Sequence, residues 1–164
     1  MEYKELKDQA CHYVDELKPV IYGIADALHD HPETGMNEVF ASTTLKKILQ
    51  DHGFAIDNPV ADAFPTAFHA VCGNGPFQMG FLAEYDALPE IGHGCGHNLI
   101  AAMSVGAALA FAKAAGTKAT VHVYGCPAEE TVGSKVYMSE HGVFDGLEAA
   151  VIVHPGTAQT YIGG

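Results

Sequence analysis

Apolar residues recur at steps of three and four over the first thirty positions of the chain, which is the spacing of one face of a helix. Pro19 falls inside this pattern and predicts a kink or a split into two helices. A further helix is predicted from about Asn37 to Asp51, where the same spacing returns and Gly53 is suited to end it. The N-terminal region is therefore predicted to be helical.

Beyond this region the pattern changes to short runs typical of β-strands, at 66–72 and 78–85, joined by the segment GNGP, which resembles a hairpin turn. The elements predicted after these are a helix at 98–115, a strand at 120–124, a helix at 131–140 and a strand at 149–153. Because strands alternate with helices after residue 78, the pattern predicts an α/β domain of three layers, in which helices flank a largely parallel or mixed sheet.

One apolar run, from Leu99 to Ala115, approaches the length of a membrane span. A span needs about 20 apolar residues, whereas this run is shorter, contains Lys113 and is dominated by alanine and glycine. A buried helix that approaches a sheet closely through small side chains is the better interpretation. We therefore expect no interaction with a membrane.

Length and charge narrow the classes of function. At 164 residues the chain is long enough for one domain with a sizeable core. Its net charge of -12, from 8 Lys and Arg against 20 Asp and Glu, gives no basic surface for nucleic acid. The four cysteines include no C-x-x-C pair, and the N-terminus has no signal-peptide pattern. This cysteine usage predicts a cytoplasmic protein, with one disulfide pair as the alternative.

Histidine and cysteine alternate with glycine in the segment IGHGCGHNLI, residues 91–100. Glycine weakens a core strand and costs about 1 kcal/mol relative to alanine in a helix, so a tight loop around something small is predicted. Because thiolates and imidazoles are good ligands of zinc and similar metals, Cys95 and His97 are candidate metal ligands. An ordinary glycine-rich turn is the alternative. His93 is expected to face substrate or support a ligand, or else to be a solvated loop histidine.

Three further motifs follow predicted strands, namely EYDALP at 84–89, CPAEE at 126–130 and HP at 154–155. Ligands of open α/β sheets bind at the carboxyl ends of the strands. The spacing of elements and motifs therefore predicts that acidic and imidazole groups gather at one edge of one sheet.

The residue types in these motifs suit metal-assisted hydrolysis. Neighbouring side chains diverge, so Glu130 can bind a metal while Glu129 takes a proton from water; the alternative is two acids that favour a helix start. His154 completes a set of Cys, His, Glu and His ligands, although alone it would be interpreted as a structural imidazole. Asp86 is expected to orient a ligating histidine by a hydrogen bond, with a turn aspartate before Pro89 as the alternative.

Several segments together resemble the zinc-dependent family of aminoacylases, dipeptidases and amidohydrolases. They are HPETGMNE, TAFHAV, LAEYDALPEIGHGCGHNLI, GCPAEET, GVFDG and VIVHPG. Within that family they are most similar to the branch of the indole-acetyl-amino-acid and aminobenzoyl-glutamate hydrolases. The resemblance implies a catalytic domain of the zinc-exopeptidase type, which cleaves the amide bond of an N-acyl-amino acid or a dipeptide by metal-activated water.

The resemblance also implies roles for individual residues. Cys95 and His97 match the ligand pair of the C-G-H-(D/N) signature, while Glu130 and His154 match further metal ligands. Glu129 matches the general base, and Asp86 matches the aspartate of the D-A-L-P signature. The implied cofactor is Zn(II) or Mn(II), with two ions in full-length members of the family.

Two departures limit what the resemblance implies. Glu84 and Tyr85 replace the commoner Asp and Met before Asp86. Members of the family are also much longer, whereas this chain ends at Gly164. Residues 1–164 are therefore expected to be the N-terminal part of the catalytic domain, without the lid or dimerisation domain and without the C-terminal part. A homodimer is expected only if that missing domain is present.

Two alternatives to an active metallohydrolase remain open from the sequence. The chain could be a catalytically inert metal-binding fragment or a partner-dependent module of such an enzyme. It could also be a thiol hydrolase that uses Cys95 or Cys126 as nucleophile, which requires a base within hydrogen-bond reach.

Overall fold

The structure, a computed structural model, describes residues 3–156. Five helices and five strands are defined in this part of the chain. In chain order they are α1 (Tyr3–Glu16), α2 (Lys18–Asp30), α3 (Val39–Asp51), β1 (Ala55–Asp57), β2 (Phe68–Gly73), β3 (Phe77–Ala83), α4 (His97–Ala115), β4 (Ala119–Gly125), α5 (Ser134–Glu140) and β5 (Ala149–Val151). A short 3-10 turn, Gly116–Lys118, joins α4 to β4. Residues 157–164, up to the chain end at Gly164, lie outside the described residues.

The predicted split in the N-terminal helix is confirmed. Helix α1 ends at Glu16, and Pro19 lies in the first turn of α2. A proline is tolerated at that place because the first N–H groups of a helix have no partner within the helix. The sequence pattern did not indicate strand β1, which has only three residues and lies at the edge of the sheet.

The five strands form one mixed sheet in the order β1-β2-β4-β3-β5. Strands β3, β4 and β5 are parallel, while β2 is antiparallel to both β1 and β4. The predicted hairpin between β2 and β3 is wrong, because β4 lies between them. The loop after β2 is held at the start of β4 instead, where Gly75 N donates to Ala119 O at 3.2 Å and Thr120 Oγ1 donates to Gly75 O at 2.8 Å.

Helix α4 lies at the centre of the fold. It packs against β3 and β4 on one side and against α1 and α2 on the other, through small residues such as Ala101, Ala102 and Ala108 that are fully buried. Within the described residues, His97–Lys118 is long and apolar enough to cross a membrane by length and composition alone. The packing of α4 is that of the buried helix that the sequence predicts.

The opposite face of the sheet carries a second, smaller core. Leu82 and Tyr124 point to this face and pack with α5 and the turn after it, through residues such as Met138 and Phe144. Helices thus cover both faces of the sheet, as the sequence predicts. Because β3, β4 and β5 are parallel, their last residues, Ala83, Gly125 and Val151, lie at the same edge.

Candidate metal centre

The candidate site lies at the carboxyl edge of the parallel strands, where three loops meet the start of α4. Residues 84–90 follow β3, residues 126–133 follow β4 and residues 152–156 follow β5. His97 is the first residue of α4, directly after Gly96, which adopts a positive φ of 79°. A Cβ atom on Gly96 would lie 2.5 Å from Pro155 Cγ, so glycine is needed here for both conformation and space.

Asp86 connects the first two loops to His97. Its Oδ1 lies 3.0 Å from His97 Nδ1, and its Oδ2 accepts a hydrogen bond of 3.1 Å from the backbone N–H of Glu130. Burial alone would raise the pKa of Asp86, but the hydrogen bonds from His97 and from the backbone outweigh it and lower that pKa. This geometry suits a carboxylate that orients a ligating histidine, although the role of Asp86 stays a prediction.

The other ring nitrogen of His97 is buried and has no hydrogen-bond partner among the described residues. Three carboxylate oxygens surround His97 Nε2, from Glu84 at 3.4 Å, Glu130 at 3.6 Å and Glu129 at 4.0 Å. Burial tends to lower the pKa of His97, but Asp86, Glu84 and Glu130 outweigh burial and raise it. The Oε2 atom of Glu84 is likewise buried and lacks a partner in the described part of the chain.

This donor set suits a metal ion. Cys95, His97 and Glu130 form one group, and Glu84, His97 and His154 form a second, each with donor atoms within 4.8 Å of one another. Two donors that share a tetrahedral zinc ion are roughly 3.4 Å apart, a spacing close to the distances around His97 Nε2. A cation would also give two buried atoms the partner that they lack. Because Asp86 occupies Nδ1, His97 has one nitrogen available and can ligate only one ion.

His154, like Glu130, is an exposed member of the set. Its ring centroid is 5.9 Å from that of His97, with the two rings nearly perpendicular at 88°. Its Nδ1 lies 2.7 Å from the backbone oxygen of Pro155, and a donating Nδ1–H leaves Nε2 free to ligate. The structure thus brings Cys95, His97, Glu130 and His154 together at one rim.

The loop that carries Glu129 and Glu130 has an unusual backbone. Ala128 adopts a positive φ of 56°, which is uncommon for a residue with a side chain. Its carbonyl oxygen accepts hydrogen bonds from the backbone N–H groups of residues 131, 132 and 133. As a result α5 begins at Ser134 rather than at residue 131, and the two glutamates lie in a turn. The alternative in which they serve as acids at a helix start is therefore not supported.

A fully buried carboxylate, Glu38, supports this turn. Its Oε1 accepts a hydrogen bond of 2.7 Å from the backbone N–H of Ala128, and its Oε2 accepts one of 2.9 Å from Thr66 Oγ1. Burial raises the pKa of Glu38. The sequence pattern gave no signal for this role, because Glu38 and Ala128 are distant in sequence and an isolated glutamate before a helix is usually exposed.

The thiols have environments that argue against a cysteine nucleophile. Burial raises the pKa of Cys126 to about 12. The hydrogen bond with Glu130, followed by burial, raises the pKa of Cys95 to about 11. Both thiols are thus held protonated at neutral pH, and a bound cation would reverse this for a ligating thiol. All four cysteines are free in the described structure.

His93 does not join either group of candidate ligands. It is half-buried, burial lowers its pKa, and its Nδ1 has no hydrogen-bond partner among residues 3–156. The expectation that His93 faces substrate stays a prediction. Sequence reasoning noted Glu84 only as a replacement, and it did not consider Lys135, whose Nζ forms an ion pair with Glu84 Oε1.

Comparisons with known proteins show which proteins this chain is similar to. No protein-family model matches the chain. It is 38% identical over 152 residues to a component of the p-aminobenzoyl-glutamate hydrolase of Escherichia coli (strain K12), covering 80% of this chain and 31% of that protein. It is 36% identical over 168 residues to Xaa-Arg dipeptidase of Mus musculus, covering 94% of this chain and 39% of that protein. The chain thus spans about a third of the length of these relatives.

A solved structure shares the fold. The chain superposes on a dinuclear metal binding peptidase of the M20 family from Bacillus subtilis with a TM-score of 0.70 and 24% sequence identity. The match covers 83% of this chain and 42% of that one. The mixed sheet with helices on both faces is therefore the arrangement found in a peptidase domain of this family.

Proposed function

Because this chain is homologous to part of the amidohydrolases and dipeptidases of the M20 family, we propose that it carries the metal-binding site of a metal-dependent amidohydrolase. Its substrate would be an N-acyl-amino acid or a dipeptide. The observation that carries this proposal is the fully buried His97, whose unpartnered Nε2 faces three carboxylate oxygens within 4.0 Å.

Four residues would hold the cation, namely Cys95, His97, Glu130 and His154. When bound, the metal supplies a Lewis acid that polarises the amide carbonyl and lowers the pKa of water. A set of one thiolate, two imidazoles and a carboxylate suits Zn(II), and Mn(II) is the alternative. Asp86 would orient His97 by accepting the hydrogen bond from its Nδ1–H.

Glu129 is the residue best suited to move protons. Its Oε2 lies 4.0 Å from His97 Nε2, and its side chain is 36% exposed, so water can reach it. Glu129 would accept a proton from the attacking water as the bond to the carbonyl carbon forms. It would then return that proton to the amine as the C–N bond breaks.

A second candidate function is a metal-binding module that needs the rest of the enzyme for turnover. The observation that favours it is the coverage, since the chain spans 31 to 39% of the length of the relatives described above. Residues 1–164 would then be one part of a catalytic domain.

The cytoplasm is the proposed location, which the free cysteines support. Association into a homodimer is proposed only where a dimerisation domain is present.

A substrate panel tests these two candidates. Purified chain, loaded with Zn(II) or Mn(II), is assayed with p-aminobenzoyl-glutamate, an Xaa-Arg dipeptide and an N-acetyl-amino acid. We expect hydrolysis that is lost on chelation and restored by metal. Metal binding without hydrolysis of any substrate would favour the module.

The Glu129→Gln variant tests the assignment of roles within the pair of glutamates. We expect this variant to keep its metal content, measured by elemental analysis, while turnover is abolished. Glu130→Gln is the matched control, and it should lose metal. Equal loss of metal in both variants would contradict the division of roles.

A further inference from the structure

Glu84 is a buried acid, and the free-energy cost of removing its carboxylate from water must be compensated. It directly follows the last residue of β3, and only 3% of its surface is exposed. A buried carboxylate is stable only when a charge and hydrogen bonds satisfy its oxygens. The chain satisfies one of the two, because Lys135 from α5 forms an ion pair with Glu84 Oε1.

The second oxygen of Glu84 lacks such a partner. Oε2 is buried and makes no hydrogen bond within residues 3–156. This oxygen lies 3.4 Å from His97 Nε2, which is itself buried and unpartnered among the described residues. This separation is longer than the usual 2.7–3.2 Å of an N–H···O hydrogen bond. Two buried atoms that lack a hydrogen-bond partner therefore face the same small space.

A cation in that space would satisfy both atoms at once. Glu84, His97 and His154 already form a group whose donor atoms lie within 4.8 Å of one another. The expected ligands Cys95 and Glu130 form the other group with the same histidine. Because Asp86 occupies His97 Nδ1, both groups would share the ion bound at Nε2.

From this geometry, and resting on the metal site proposed above, we propose that Glu84 is a further metal ligand of this chain through Oε2. Lys135 is the fixed cation that holds Oε1 and keeps Oε2 directed at His97. Lys135 Nζ also lies 3.8 Å from Glu129 Oε1, so its positive charge is shared between the two acids. Glu84 replaces the aspartate that is commoner in the family the sequence resembles, and metal binding would be its specific function.

Cobalt(II) titration tests the proposal by affinity and by spectrum, independently of turnover. The d–d bands of bound Co(II) report its coordination, and a thiolate-to-cobalt charge-transfer band reports Cys95. Three variants are compared with the wild-type chain, namely Glu84→Gln, the double variant Glu84→Gln/Lys135→Met, and Glu129→Gln. The double variant removes both members of the ion pair, so that no buried charge is left alone. Glu129→Gln is the matched control, because it removes an equal charge from the same rim at a residue expected to bind no metal.

We expect Glu84→Gln and the double variant to bind Co(II) at least tenfold more weakly, with altered d–d bands and a retained charge-transfer band. Glu129→Gln should change the affinity by less than threefold. Wild-type affinity in the Glu84 variants, or an equal loss in all three, would overturn the proposal while leaving the metal site intact. Absence of cobalt binding by the wild-type chain would instead overturn the metal site itself, and this inference with it.

Discussion

Replacement of Asp86 by asparagine removes the group that orients His97. The Asp86 carboxylate accepts hydrogen bonds on both oxygens, at 3.0 Å from His97 Nδ1 and at 3.1 Å from Glu130 N. An asparagine side chain has only one oxygen, so its NH₂ group would face one of these two N–H donors. One charge-assisted hydrogen bond, worth roughly 1.5–3 kcal/mol, is lost.

The expected effect on metal binding follows from this loss. Removal of the partner of a ligating histidine typically weakens metal binding by about 10- to 100-fold, which corresponds to roughly 1.4–2.7 kcal/mol. We therefore expect Asp86→Asn to raise the zinc dissociation constant within this range. The assay is competition with a chromophoric zinc chelator at neutral pH, with far-UV circular dichroism to verify folding.

A matched control is present elsewhere on the sheet. Asp57 Oδ1 also lies 3.0 Å from a histidine nitrogen, Nδ1 of His69, but this pair belongs to neither candidate ligand group. Asp57→Asn should leave zinc affinity unchanged. If folded Asp86→Asn bound zinc within twofold of wild type, the argument that Asp86 orients a metal ligand would be refuted.

Three further predictions concern stability and pH. Glu38→Ala leaves two buried donors without an acceptor, each costing about 1–3 kcal/mol, so urea denaturation should show a free energy of unfolding lower by about 2–6 kcal/mol, and a smaller decrease for Glu38→Gln. An unchanged midpoint would count against the role of Glu38 in supporting the turn at Ala128. Zinc affinity should increase with pH from about 6 to 8, because the pKa values of His97 and Cys95 are raised, that of Cys95 to about 11, and zinc must displace the protons bound there. An affinity that calorimetry shows to be independent of pH would contradict this prediction. Gly125→Ala places a Cβ atom 2.3 Å from ring carbons of Phe68, so thermal unfolding should show destabilisation of about 1–3 kcal/mol. A Tm equal to that of wild type would be inconsistent with this close packing.

Local patterns predicted the elements and the edge at which the candidate site lies. Apolar spacing indicated the helices, and the order of strands and helices after residue 78 indicated that EYDALP, CPAEE and HP would meet. The hairpin prediction failed because turn residues indicate a change of direction but not which strand becomes the neighbour. Here β4, which follows much later in the chain, pairs with both β2 and β3.

Tertiary context determined what the sequence could not indicate. Glu38 and Glu84 resemble ordinary acidic residues in the sequence, and only the assembled fold buries them beside partners that are distant along the chain. The start of α5 at Ser134 likewise depends on the positive φ of Ala128, a conformation that alanine does not favour locally. Long-range hydrogen bonds and burial therefore define the details of the site.

X-ray absorption spectroscopy of the zinc-loaded chain most directly tests the claim that the proposed ligands bind one ion, namely Cys95, His97, Glu130 and His154. The account predicts a single sulfur scatterer from Cys95 together with nitrogen and oxygen ligands, and loss of that sulfur in Cys95→Ser. A zinc ion surrounded only by nitrogen and oxygen in the wild-type chain, or a spectrum unchanged by Cys95→Ser, would contradict it.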